Sequence, residues 1–172
     1  NVELIKGDAL FNVVQASNRP FAVDVIDHNV VAVGTTFNLQ ITNAALKIAV
    51  VEGQVAVRHQ DPMANSSPDR GGEHVEGMLL KAGQGVEVNA DGIISEATNV
   101  NVDRAIAWDR GLLVFDGLPL RQATEKMSRY MLFDIRVVVG VPDKIVRGEI
   151  QIRDQETMLK QFAKIAQVTP VR

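Results

Sequence analysis

The sequence of 172 residues contains no cysteine, so it can form neither a disulfide framework nor a thiolate metal site. Aromatic residues make up only 5% of it, with one tryptophan and one tyrosine. No apolar run approaches the roughly 20 residues of a membrane-spanning helix, and no signal-peptide core stands at the start. These absences exclude cysteine chemistry and disfavour an aromatic-lined ligand pocket.

An excess of charge of either sign is also lacking. The chain has 18 Lys and Arg against 21 Asp and Glu, which gives a formal net charge of −3. Nucleic-acid binders usually carry a strongly basic surface, so we expect no nucleic-acid partner. The hydrophobic content of 46% predicts a globular protein with a real core. Because the chain begins with Asn1 and not with Met, we expect it to be a piece of a longer protein.

Residue patterns that carry catalysis are absent as well. The histidines His28, His59 and His74 stand far apart, in loop-like or strand-end contexts, and none forms a metal-binding pair at helical spacing. There is no G-x-S-x-G run, and therefore no nucleophile elbow. We predict a protein that is not an enzyme and that has no catalytic residue, no cofactor and no metal.

Residues 1–107 have a residue pattern typical of β structure. Short apolar runs alternate with polar residues and are separated by Gly, Asn and Asp, as in Phe21, Val23 and Val25. The pattern predicts a mostly β domain of short antiparallel strands, arranged as a sandwich or as a β-solenoid-like fold. Residues 60–73 hold two Pro and two Gly among small polar residues, which predicts a mobile loop.

From Trp108 onward the spacing of the apolar residues changes, with stretches of helical period between those of strand period. We predict a small α+β domain over residues 108–172 with the order β-α-β-β-α and two helices on one sheet. Its predicted elements are a strand at 112–115, a turn at Asp116–Gly117, a helix at 118–132, strands at 133–139 and 145–153, and a helix capped by Asp154 with Leu159, Phe162, Ala163 and Ala166 inward. Trp108 is expected to fill the junction of the two parts.

Polar and apolar residues alternate along the last predicted strand. Val146, Gly148 and Ile150 share one face, and from Arg147 onward the residues of the other face are polar. The pattern predicts a strand with one face in solvent. The residues of that polar face, which we consider one candidate partner-binding surface, are Arg147, Glu149, Gln151 and Arg153.

Several runs, taken in order, resemble the periplasmic region of the FecR family of iron-transport sigma-factor regulators. They are Arg19–Val23 (RPFAV), Val33–Phe37 (VGTTF), Val50–Val55 (VVEGQV), Leu80–Gln84 (LKAGQ), and the pattern from Ala107–Trp108 through Gly111, Phe115, Pro119–Leu120 and Arg129–Tyr130. The residues after Trp108 are similar to the secretin and TonB short N-terminal domain. The resemblance covers essentially the whole chain.

The resemblance implies a function in cell-surface signalling. In this family the periplasmic region binds the N-terminal signalling domain of a TonB-dependent outer-membrane transducer and controls an extracytoplasmic-function sigma factor. The sigma factor and the inner membrane would be reached only through a cytoplasmic segment and a transmembrane helix that this chain lacks. A leucine-bearing segment implied to contact the transducer corresponds here to Leu112, Leu113, Phe115, Leu118 and Leu120. Apolar residues at this spacing usually belong to the core, so burial of these side chains is the alternative prediction.

Two alternatives remain open from the sequence. One is a β domain that binds a small ligand or a carbohydrate, which the low aromatic content disfavours. The other is an assembly domain of a secretin-like envelope complex, which the C-terminal part alone suggests. A pull-down from periplasmic extract separates a transducer partner from a secretin ring, and a ligand-induced rise in melting temperature would favour the ligand-binding domain.

Overall fold

The computed structural model of the protein describes residues 2–15, 20–42, 45–59 and 77–170. The chain forms two compact units: unit 1 is Asn1–Ala105 and unit 2 is Ile106–Arg172. The division falls two residues before the boundary expected from the sequence. The predicted loop at 60–73 lies outside the described residues.

The described part of unit 1 consists of ten strands and one short helix. They are β1 (Val2–Glu3), β2 (Gly7–Asn12), β3 (Phe21–Val25), β4 (His28–Ala32), β5 (Thr36–Ile41), β6 (Ala45–Glu52), β7 (Gln54–His59), β8 (Met78–Lys81), β9 (Gln84–Asn89), β10 (Thr98–Asn99) and α1 (Val102–Ala105). The strands form two five-stranded sheets, in the orders β1-β3-β4-β7-β8 and β10-β9-β6-β5-β2. All neighbours are antiparallel except the β1–β3 pair. The prediction of a mostly β domain is confirmed.

The two sheets enclose one apolar core, because alternate side chains of each strand point the same way. Val23 and Val25 of β3 are fully buried, as the alternation predicts, and so are Phe37 and Leu39 of β5 in the other sheet. Both sheets contribute to the same cluster of buried residues. The arrangement is therefore a β-sandwich, the first of the two β folds expected from the sequence.

Gly53 lets the chain cross from one sheet to the other between β6 and β7. Its φ is +81°, and a Cβ there would lie 2.7 Å from Thr35 Cγ2 and 2.9 Å from the Gly34 carbonyl oxygen. Only glycine fits both the backbone angle and this close approach. The glycines of the VGTTF and VVEGQV runs thus meet inside the fold.

Unit 2 packs two helices on a two-stranded sheet. Its described elements are a 3-10 helix (Ala107–Arg110), β11 (Leu112–Pro119), α2 (Leu120–Ser128), β12 (Ile145–Gln151) and α3 (Gln155–Ala166). The strands β11 and β12 are antiparallel. Their inner face and the two helices share a core of Leu113, Phe115, Leu120, Ala123, Met127, Val146, Ile150, Met158, Phe162 and Ala166. The predicted α+β character is confirmed.

The prediction of a strand at 133–139 is wrong, since the structure has no regular element there. The backbone groups that would pair with a neighbouring strand find side chains instead. The N–H of Ile135 donates to Ser128 Oγ at 3.1 Å, and the N–H of Leu132 donates to Gln155 Oε1 at 2.8 Å. Ile135 and Val137 still pack on the core, so these buried side chains hold the segment although its backbone pairs with no neighbouring strand.

Several predicted boundaries also shift. The helix expected at 118–132 is Leu120–Ser128, because Pro119 has an extended ψ of 144° and belongs to β11. The turn expected at Asp116–Gly117 is a bulge inside β11, where the register with β12 changes.

At the end of the chain, the prediction that Asp154 caps α3 is confirmed: its carboxylate accepts a hydrogen bond from the Thr157 N–H at 2.9 Å. The inward face of α3 consists of Met158, Phe162 and Ala166, whereas the predicted Leu159 and Ala163 are half-buried beside it. Trp108 packs against the core of unit 2.

Candidate protein-binding surface

The outer face of β12 is polar and open to solvent. Val146 and Ile150 of β12 point into the core, so the residues that alternate with them, such as Arg147 and Glu149, must point outward. The four side chains predicted to form this face are all exposed: Arg147, Glu149, Gln151 and Arg153. Arg153 follows the end of the strand, in the connection to α3. The expected strand with one face in solvent is confirmed.

Across the ladder, the outer face of β11 is less open. Asp116 is exposed opposite Arg147, but Val114, opposite Glu149, is 9% exposed and Leu112, opposite Gln151, is half-buried. The charged half of the sheet therefore lies on β12.

The outer edges of both strands are partly occupied by side chains. The N–H of Ile152 donates to the Gly111 carbonyl, so in an antiparallel ladder the backbone groups of Val114, Glu149 and Gln151 point away from the partner strand. Lys126 Nζ donates to the Val114 carbonyl oxygen at 2.8 Å. The N–H of Gln151 donates to Gln161 Oε1 at 3.0 Å. The stretch of β12 that precedes Gln151 is thus the place where a further strand could add.

Most of the leucine-bearing segment lies inside the core. Leu113, Phe115 and Leu120 are 0%, 1% and 2% exposed. Leu112 and Leu118 are half-buried. The three buried side chains hold the sheet and α2 together, and a partner cannot reach them in this conformation; only Leu112 and Leu118 offer any surface.

An exposed apolar group that the sequence analysis missed lies in the α2–β12 segment, residues 129–144. Leu132, Phe133, Val138 and Val139 are 92%, 49%, 64% and 96% exposed. The available signal was the run Val137–Val139, because three consecutive apolar residues cannot all face the core of a two-layer structure. This segment adds an apolar surface to unit 2.

The structure brings two histidines of unit 1 together. His28 begins β4 and His59 ends β7, and the two residues are directly opposite in the antiparallel ladder. Their rings meet edge to face with centroids 5.1 Å apart. The contact could not be predicted from the positions of the two histidines in the sequence, because it depends on how β4 pairs with β7. His74 lies outside the described residues.

Only His28 of this pair is buried, at 1% exposed, whereas His59 is exposed. Burial lowers the pKa of His28, and the nearby His59 lowers it further. The described residues contain no cluster of three or more His, Asp or Glu side chains that could hold a metal ion. The helices found in the described ranges are too short or too polar to cross a membrane.

Comparison with known proteins gives one family and one fold. Residues 1–56 match the family model described as FecR protein. The VGTTF and VVEGQV runs lie inside that range, while the LKAGQ run and the pattern after Trp108 lie outside it. No curated protein matches the chain.

Two crystal structures titled "putative anti-sigma factor" from Parabacteroides distasonis ATCC 8503 share the fold. Both align with a TM-score of 0.74 and 22% sequence identity over 97% of this chain. The alignment covers 74% of one of those chains and 73% of the other. Residues 1–56 are therefore similar to the FecR family model, and the chain shares the fold of these two structures over 97% of its length.

Proposed function

We propose that this chain is the periplasmic signal-receiving region of a transmembrane anti-sigma factor regulator. The FecR match over residues 1–56 and the fold shared with the two Parabacteroides distasonis structures carry this proposal. In it the chain is a regulatory module that works by binding another protein and not by catalysis. The likeness of residues 108–172 to the secretin and TonB short N-terminal domain is part of the same proposal.

The partner in this proposal is the N-terminal signalling domain of a TonB-dependent outer-membrane transducer, and the regulated process is iron uptake. Unit 2 supplies the docking surface. Arg147, Glu149 and Arg153 offer charges of both signs, which favour one orientation of a partner. The outward backbone groups of β12 before Gln151 offer hydrogen bonds to an added strand.

The contribution of the leucine-bearing segment follows from its burial. Leu113, Phe115 and Leu120 support the docking surface from beneath, while Leu112 and Leu118 are half-buried and can contact a partner directly. Truncation of a buried member would therefore weaken binding by unfolding unit 2. Substitution on the outer face of β12 would weaken binding and leave the fold intact.

Titration calorimetry with the purified signalling domain of the cognate transducer tests the proposal. Arg147→Glu combined with Arg153→Glu reverses two charges on the outer face, and we expect the affinity to fall by about ten-fold or more. Arg136→Glu is the matched control, because Arg136 is exposed in the same unit but lies outside β12.

Thermal melting of each variant shows whether the fold is kept. Unchanged affinity in the double variant, with unchanged melting, would place the docking surface elsewhere. Arg136→Glu changes the net charge by half as much as the double variant does. A loss of binding free energy half as large in Arg136→Glu would therefore reduce the effect to the net charge of unit 2. Absence of binding by the wild-type chain would contradict the transducer as partner.

A further inference from the structure

His28 is a buried ionisable group that has no hydrogen-bond partner among the described residues. It is 1% exposed, and neither Nδ1 nor Nε2 makes a hydrogen bond within the described structure. The Gly92 backbone approaches the ring and favours its protonated form, but it makes no hydrogen bond of acceptable geometry with it. A neutral imidazole tolerates such a site at some cost, whereas an imidazolium would place there a charge that the Gly92 backbone offsets only in part.

The ring lies where two turns of unit 1 meet. His28 pairs with Val25 to close the β3–β4 hairpin. A Cβ on Gly92, in the turn after β9, would lie 3.7 Å from His28 Cε1. Because β4 and β9 belong to different sheets, His28 joins the two layers at this end of the sandwich.

The hairpin turn beside His28 is strained. Its two residues are Ile26 and Asp27, and Ile26 has a φ of +53° although its side chain is β-branched. Such a φ strongly favours Gly, Asn or Asp in a two-residue hairpin. Ile26 is also 61% exposed, so its own burial does not fix the turn. The packing of His28 therefore helps to hold a turn that the local sequence disfavours.

Burial, more than the charges around the ring, acts against protonation of His28. The ionisable residues on the elements packed around it are Asp24, Asp27, Arg58, His59 and Asp91. Desolvation by burial is the largest cause of the lowered pKa of His28, and His59 is the second. Asp27 and the Gly92 backbone oppose the shift but do not cancel it.

We propose that His28 is an acid-sensitive switch in unit 1, and that its protonation loosens the end of the sandwich where the β3–β4 turn packs on the turn after β9. The unfolded chain, in which the imidazole has its ordinary pKa of 6.5, takes up a proton before the folded chain does. Stability is therefore full above pH 6.5 and falls as the pH drops below it. This inference does not depend on the identity of the partner.

The test measures the unfolding equilibrium constant of the 172-residue chain at pH 8 and at pH 5, by urea titration followed by β-sheet circular dichroism. Wild type and His28→Phe are compared, so that the contributions of the carboxylates and of the other histidines to the pH dependence cancel. We expect the wild-type constant to rise by up to about 30-fold more than that of the variant. His59→Gln is the control, and it should keep most of the wild-type pH dependence because His28 is still buried.

A second measurement covers the case in which His28→Phe fails to fold. The Cε1–H resonance of His28 in the wild-type chain is followed by NMR as the pH is lowered, and its midpoint should fall below 6.5. Amide protection factors, which correct for the slower intrinsic exchange in acid, should fall first in the β3–β4 hairpin as the pH is lowered. A midpoint at or above 6.5 would overturn the proposal, as would the same pH dependence in wild type and His28→Phe.

Discussion

In unit 1 the apolar residues are buried between two hydrogen-bonded sheets, whereas in unit 2 part of the apolar sequence packs on the core with no strand beside it. Val23 and Val25 of β3 have β4 as a neighbour on the ladder. Ile135 and Val137 of the α2–β12 segment pack on the core of unit 2 but belong to no sheet. Burial of alternate side chains is therefore common to both units, and pairing of the backbone is not.

The difference affects what each unit leaves on its surface. In a sandwich the inner faces of the two sheets cover each other, so the core of unit 1 lies between its own two sheets. The two-stranded sheet of unit 2 has helices on its inner face, and the outer face of β12 stays polar and exposed. Exposed apolar residues such as Leu132 and Val139 lie close in sequence to that strand. Unit 2 thus presents both a polar strand face and an exposed apolar segment on its surface.

The largest expected effect comes from truncating an aromatic residue in the core of unit 2. Phe115 is 1% exposed and its ring centroid lies 5.4 Å from that of Phe162. Phe115→Ala should lower the free energy of unfolding by about 3–5 kcal/mol. Urea unfolding followed by fluorescence measures this, because Trp108 is the single tryptophan and packs on the same core.

Phe133→Ala is the matched control, since Phe133 is 49% exposed in the same unit. It should cost less than about 1 kcal/mol. Equal losses in the two variants would mean that the α2–β12 segment is as firmly held as the core strands. That result would remove the contrast between the two units.

The next effect concerns the close packing of unit 1. Gly53 and Gly83 both have a φ of +81°, but a Cβ meets Thr35 and Gly34 at Gly53 and nothing within 4 Å at Gly83. Gly83→Ala should cost about 1–2 kcal/mol for the backbone conformation alone. Gly53→Ala should cost about 2–4 kcal/mol, because the overlap adds to it.

Chemical denaturation followed by circular dichroism gives both values. The comparison isolates the overlap, since the two glycines share the same φ. If Gly53→Ala costs no more than Gly83→Ala, the contact with Thr35 relaxes freely. The VGTTF and VVEGQV runs would then be joined less tightly than the distances indicate.

Sequence reasoning succeeded where burial alone decides the structure. The alternation in β3 and β12 predicted which side chains face the core, because a strand with one buried face requires it. It failed at 133–139, where β-branched residues indicated a strand. Strand propensity states that a segment fits a sheet, but not that a neighbouring strand is available. Within that segment the backbone N–H of Ile135 donates to Ser128 Oγ, and just before it the N–H of Leu132 donates to Gln155 Oε1.

The candidate site was predictable to a similar extent. The polar face of β12 followed from the period of two, whereas the burial of Leu113 and Phe115 depends on how β11 pairs with β12. The contact of His28 with His59 depends on the register of β4 and β7, which lie 31 positions apart at that pair. Long-range pairing of this kind leaves no mark in local spacing.

The smallest expected effect distinguishes the two helices of unit 2. The carboxylate of Asp154 accepts a hydrogen bond from the Thr157 N–H at the start of α3, whereas Pro119 before α2 offers no cap and the first turn of α2 is capped from a distance by Asp143, whose Oδ1 accepts from the Arg121 N–H at 2.9 Å. Asp154→Ala should lower the melting temperature by less than Gly83→Ala does, since it removes one exposed cap. Asp154→Asn should keep most of the stability, because asparagine also caps helices.

The pH dependence of that effect separates the charge of the cap from its hydrogen bond. The Thr157 backbone amide holds the pKa of Asp154 below its ordinary value of 3.8, so the carboxylate stabilises the fold above pH 3.8. This stabilisation is lost as the pH falls through the lower pKa of the folded state. The difference between wild type and Asp154→Ala should therefore shrink in acid, while that between Asp154→Asn and Asp154→Ala should persist. A wild-type advantage that does not change with pH would show that the cap acts through its hydrogen bond alone.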